Sequence, residues 1–102
     1  METLVTTEGT KAVLQAGGDL VAATVPSLRP RLRELVQGGI RDLVFDLEHT
    51  RMVDSSGIGL IMAAHNSMEK VGGRVHVLHA SADIRTLFAT MRLNQHIDIA
   101  DA

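Results

Sequence analysis

Apolar and polar positions along the chain fall into short runs of two periods, and glycines punctuate them. Thr3 to Thr7 is short and β-prone and predicts an edge strand. Lys11-Ala12-Val13-Leu14-Gln15-Ala16 predicts a second strand, closed by Gly17-Gly18. Leu28, Leu32, Leu35 and Val36 then recur at helical spacing, and Gly38-Gly39 ends that run. With Ser27 as the N-cap, Pro30 falls in the first turn, where its missing N–H is harmless. A start at Thr24 would put Pro30 deeper and bend the helix.

Ile40 to Leu47 is nearly continuous in apolar residues, broken by Arg41, Asp42 and Asp46. Such a run predicts a central strand covered on both faces. A second helix is predicted from about Ser56 to Val71, ending at Gly72-Gly73, with Leu60, Ile61, Ala64, Met68 and Val71 as its inward stripe. Arg74 to His79 reads as a strand. Ser81 is placed to cap a third helix, with Ile84, Leu87, Phe88 and Met91 on one face. The tail has a short strand or turn around Ile97 and Ile99. Strands alternating with helices predict one α/β domain over residues 1–102, with some parallel pairing.

Composition narrows the function. At 102 residues, 45% hydrophobic and 22% charged, the chain has the profile of a single folded domain. A net charge of −2, with no basic cluster, gives no electrostatic drive toward nucleic acid. Two Phe and no Trp or Tyr leave nothing for bases to stack on, so the core must be aliphatic. The absence of cysteine excludes disulfides, thiol catalysis and cysteine-ligated metals. No run approaches the roughly 20 apolar residues that span a bilayer, and the N-terminus lacks a signal-peptide pattern. The expected location is the cytoplasm, with no direct membrane insertion.

The sharpest chemical feature is Val53-Asp54-Ser55-Ser56-Gly57-Ile58-Gly59-Leu60, between the central strand and the second helix. Two adjacent hydroxyls sit where a helix begins. Unpaired backbone N–H groups and a partial positive charge make that position tolerant of phosphate. A serine there can cap the helix when bare and carry a phosphate when modified. The spacing lacks the lysine of a nucleotide-binding loop, so any ATP belongs to a partner. His76 and His79, three apart in a strand, are expected to point to opposite faces, and the remaining histidines are isolated in sequence. No metal and no cofactor are expected. A serine hydrolase would need the Gly-x-Ser-x-Gly elbow, which is absent.

The Asp-Ser-Ser-Gly-Ile-Gly-Leu element at the start of the second helix resembles the STAS domain, and more narrowly the bacterial anti-sigma-factor antagonists. Gly18-Asp19-Leu20 with Ala23 to Arg29, Leu43 to Leu47, Gly72 to Val77 and Ile84 to Phe88 carry the same resemblance over nearly the whole chain. The resemblance implies a mixed β-sheet of four to five strands packed with helices. It also implies a non-enzymatic switch. The unphosphorylated form binds a kinase-type anti-sigma factor and frees a sigma factor. The kinase then phosphorylates the serine after the Asp, and a serine phosphatase reverses the modification. Carried onto this chain, the acceptor is Ser55.

Around that acceptor, Asp54 reads as an orienter of the hydroxyl or as an N-cap, and Ser56 as a local cap. Gly57 and Gly59 allow close backbone approach, either to a phosphate or to the sheet. Ile58, Gly59 and Met62 form the expected partner-binding face, because the inward stripe is already supplied by other residues. Ile97 stands where the family commonly has an aromatic, and two other departures weigh more: Val21 where the family often has an acidic residue, and the turn Glu48-His49-Thr50-Arg51-Met52, where small or apolar residues are commoner. They leave open a constitutive STAS interaction module, a signalling scaffold or an accessory subunit of a lipid transporter.

Overall fold

A computed structural model of the chain describes residues 2–100. The elements run β1 (Leu4–Glu8), β2 (Lys11–Gln15), α1 (Val25–Gln37), β3 (Asp42–Asp46), α2 (Ser55–Lys70), β4 (Arg74–Leu78), α3 (Ala82–Thr90), a 3₁₀ turn (Leu93–Gln95) and β5 (Asp98–Ile99). The five strands lie in one sheet in chain order. β1 and β2 form an antiparallel hairpin, and β2, β3, β4 and β5 are parallel to one another. The sheet is therefore mixed, as the resemblance implies.

Chain order decides where the helices go. Each strand after β2 is added on the same side of its predecessor, and crossovers between parallel strands are right-handed. All the helices must then fall on one face. The core bears this out: Ala12, Leu14, Leu43, Phe45, Val75 and Val77 on that face cluster with Leu28 and Leu32 of α1, Leu60, Ile61 and Met68 of α2, and Ile84 and Phe88 of α3. The two phenylalanines, Phe45 and Phe88, are both fully buried in this otherwise aliphatic core. β3 is buried on both faces, as a central strand should be, but helices cover only one of them. Val44 points the other way, lies outside the main core, and is buried on the second face of the sheet. Its register partners there are Val13 and His76.

Three expectations shift. α1 begins at Val25 rather than after Ser27, so Pro30 lies inside the helix. The reason is a turn just before it: Val21 O accepts from both Thr24 N and Val25 N at 2.9 and 3.0 Å, which starts the helical path early. Pro30 deprives the Pro26 carbonyl of its usual donor, but both prolines are exposed, so water can take its place. Val71 is the residue after the last turn of α2 and is exposed, not part of the inward stripe. Met91 likewise follows the end of α3 and faces solvent. The predicted Ser81 cap is present, its side chain accepting from Ile84 N at 3.2 Å.

The open face of the sheet carries two of the five histidines. His76 lies between Asp98, at 3.2 Å, and Asp42, at 3.5 Å, while His79 Nδ1 meets Asp46 Oδ1 at 2.9 Å. Asp42 and Asp46 share one face of β3. The two histidines therefore share that face too, contrary to the alternation argument. His79 escapes the alternation because it lies past the end of β4 with a left-handed φ of 60°.

The Asp46 carboxyl is pushed up by partial burial, but hydrogen bonds from His79, the Glu48 N–H and Gln15 outweigh this and hold it below its usual range. The same hydrogen bond, and the charge of Asp46, raise the His79 imidazole. A raised histidine stabilises the fold fully below its unfolded pKa of about 6.5 and loses that contribution as pH rises through the folded value. The lowered Asp46 contributes fully above about 3.9 and loses its share as pH falls through its own folded value. The pair is thus worth most between about pH 4 and 6.5. We expect His79→Ala to lower the melting temperature at pH 5.5 and to cost less at pH 8.5. Equal losses at both pH values would show that the pair does not titrate in this way.

Candidate phosphorylation switch and docking surface

The switch region is built from two loops stitched together at the C-terminal ends of β2 and β3. Leu20 N donates to Met52 O at 3.0 Å, and Asp54 N donates to Leu20 O at 3.1 Å, pairing Leu20 with Val53 as an isolated parallel bridge. Asp19 Oδ1 accepts from the backbone N–H of both Arg51 and Met52 at 3.0 Å. Thr50, the one buried polar residue among those described, donates its hydroxyl to Gly18 O at 2.8 Å. The unusual turn before the switch is therefore held firmly. Its buried threonine is a satisfied polar group.

Asp54 is the N-cap of α2. Its Oδ1 accepts from Ser56 N at 2.8 Å and Gly57 N at 3.2 Å, and its Oδ2 reaches across to Ala22 N at 3.1 Å. One carboxylate thus closes the helix start and anchors the neighbouring loop. Desolvation raises its pKa, but the backbone donors outweigh that and keep it ionised below the usual range. Of the two readings of Asp54, the cap is the one the hydrogen bonds support. We expect Asp54→Ala to lower the melting temperature by several degrees, and Asp54→Asn, which keeps an acceptor, to lower it less. Identical melting curves for both variants and the parent would remove the anchor from the account.

Ser55 is the first residue of α2 and is exposed, whereas Ser56 is half-buried. The two glycines of the motif have different jobs. A Cβ on Gly57 would press into the Leu20 carbonyl and come within 2.8 Å of Val53 Cγ1 and 2.9 Å of Leu20 Cβ, so Gly57 lets the helix start sit against the bridge. Of its two readings, the close approach is to the neighbouring loop. Gly59 is exposed, and a Cβ added there would meet nothing within 4 Å, so the surface one turn beyond Ser55 is bare. Ile58 and Met62 are half-buried, each resting one side on the core. Ser55, Ile58, Gly59 and Met62 follow one another at i, i+3, i+4 and i+7 along one helix face.

The exposed surface around Ser55 extends beyond α2, to residues that the sequence pattern does not single out. Met52 is 59% exposed in the turn directly before the switch, and Ala22 and Ala23 are exposed on the loop tied to Asp54. A methionine in an otherwise polar turn was a signal for the first, and the Asp19 landmark for the second. Among the described residues one group could bring ligand atoms to a metal, Asp46, Glu48 and His79, with those atoms within 4.8 Å of one another. No described helix is long and apolar enough to cross a membrane.

Comparison with known proteins places this geometry. The profile of the STAS domain matches residues 3–102. The anti-sigma-B factor antagonist of Staphylococcus aureus is 32% identical over 75 residues, covering 74% of this chain and 69% of that protein. Among solved structures, the unphosphorylated form of the anti-sigma factor antagonist SpoIIAA matches with a TM-score of 0.80 at 24% identity, covering 98% of this chain and 88% of that one. SpoIIAA in its phosphorylated form, from Bacillus, matches at 0.78 and 24%, covering 96% and 90%. The fold is thus the one that SpoIIAA keeps in both of its states. The chain belongs to the STAS-domain family, among the anti-sigma-factor antagonists.

Proposed function

We propose that this protein is a phosphorylation-controlled anti-sigma factor antagonist, acting in the cytoplasm by binding rather than catalysis. Its bare form docks on a kinase-type anti-sigma factor and so releases a sigma factor. The kinase phosphorylates Ser55, and a serine phosphatase returns the protein to its binding form. The observation that carries this reading is the position of Ser55: exposed at the first residue of α2, beside the capping Asp54, with Ile58, Gly59 and Met62 on the same face.

The physics of the switch is local. Phosphate adds about −1.5 to −2 charges at neutral pH. At a helix N-terminus that charge is tolerated by the fold, since it lies at the positive end of the helix dipole. At a contact being desolvated, beside the ionised Asp54, the same charge is unfavourable. Modification should therefore leave the domain folded and weaken docking.

The test is a binding titration with a kinase-type anti-sigma factor. Ser55→Ala should bind like the unmodified chain, and Ser55→Asp should bind about ten-fold or more weakly. Equal affinity for all three would mean that docking ignores charge at Ser55, and the chain would instead be a constitutive interaction module.

A further inference from the structure

A second surface lies along the same helices, independent of Ser55. α1 and α2 are separated by a groove of about 380 Å³. Its floor is apolar, with Leu32 and Val36 from α1 and Leu60 and Ala64 from α2. Its rim is cationic: Arg29 and Arg33 stand on α1 and Lys70 on the last turn of α2. No carboxylate lines it. Among the described residues, none of these three cations has an ion-pair partner within 4.0 Å, and none donates a side-chain hydrogen bond to another protein group. In a chain whose net charge is −2, three of its ten Lys and Arg surround one apolar groove and neutralise nothing there.

Unpaired cations around an apolar floor are complementary to a ligand that is anionic at one end and apolar over the rest. The groove volume lies within the range of small-molecule sites. We propose that it binds a free single-chain anionic amphiphile, a medium-chain alkyl carboxylate. The alkyl chain lies on Leu32, Val36, Leu60 and Ala64, and the headgroup is held by Arg29, Arg33 and Lys70. Long flexible stems let these residues cover the chain while their charged ends stay at the rim.

The experiment uses isotope-labelled protein and sodium decanoate below its micelle concentration, followed by amide shifts. Decanoate should perturb residues 29–37 and 60–71 saturably. Octanoate should bind several-fold more weakly, because two fewer methylenes are buried. Arg33→Gln with Lys70→Gln should weaken decanoate about ten-fold or more, with the melting temperature unchanged because both side chains are exposed. Decyltrimethylammonium, with the same chain and the opposite charge, should leave these residues unperturbed. Equal shifts from the cationic probe, shifts spread over the whole surface, or no shift with decanoate would each overturn the proposal. Sedimentation with phosphatidylglycerol vesicles, without saturable decanoate binding, would also overturn it, by making the occupant a membrane surface.

Discussion

Gly57→Val should unfold the domain or leave it only marginally folded at room temperature. A Cβ at Gly57 meets the Leu20 carbonyl, and that carbonyl cannot step aside. It accepts the Asp54 N–H that closes the Leu20–Val53 bridge, and the bridge fixes where α2 begins. Leu20 is itself fully buried, so displacing it disturbs the core as well. Overpacking a tight core site costs about 1–3 kcal/mol, occasionally more. Here the clash is with backbone, and a branched side chain enlarges it. Against a total stability of roughly 5–15 kcal/mol, the upper end of that range is severe. Gly57→Ala should be the milder member of the series. Gly59→Ala is the internal control: its Cβ meets nothing, and replacing a helical glycine by alanine stabilises by about 0.5–1 kcal/mol. Melting curves for the three variants test the assignment. A Gly57→Val protein that melts with the parent would mean that the helix start is not seated on the bridge as described.

Ile61→Asp and Ile58→Asp should fail in opposite ways. Ile61 is fully buried beneath α2, with no polar partner for a carboxylate. Burying an unpaired charge there should cost upwards of about 4 kcal/mol, enough to unfold most of the population. Ile58 is half-buried, one side against the core and the other facing outward beside Ser55. Ile58→Asp should lower the melting temperature modestly, because part of its apolar contact is lost. It should abolish most binding to the anti-sigma factor, because the new charge must be desolvated at the docking face. Each variant needs a melting curve beside a binding titration. If Ile58→Asp melts as badly as Ile61→Asp, Ile58 belongs to the core and the docking face lies elsewhere.

The elements of this fold are legible in the sequence because each is short, periodic and closed by turn residues. The Gly38-Gly39 and Gly72-Gly73 pairs mark the ends of α1 and α2 within a residue or two. What the pattern does not reveal is which faces are covered. Leu43-Val44-Phe45 reads as uniformly buried, and all three residues are buried, yet only Leu43 and Phe45 face the helices. Strand order decides that, and no local period encodes it. The α1 start is hidden because the Val21 turn satisfies the first N–H groups with backbone, leaving no side-chain cap to recognise. The direction of His79 is hidden because a left-handed residue past a strand end breaks the alternation. At the site, Asp54, Ser55 and the helix start can be read from residue chemistry. The bonds from Asp54 to Ala22 and from Asp19 to Arg51 and Met52 cannot, since they join segments about 32 residues apart.

Whether Ser55 is the residue that a kinase partner phosphorylates can be read from intact mass with phosphopeptide mapping. The protein, Ser55→Ala and Ser56→Ala are each incubated with the kinase-type anti-sigma factor and ATP. One added phosphate is expected on the parent, mapped to Ser55, none on Ser55→Ala, and retained incorporation on Ser56→Ala. Ser55 is exposed on the first turn, while Ser56 is half-buried beside the Asp54 cap. Phosphate mapped to Ser56, or undiminished incorporation into Ser55→Ala, would contradict Ser55 as the acceptor.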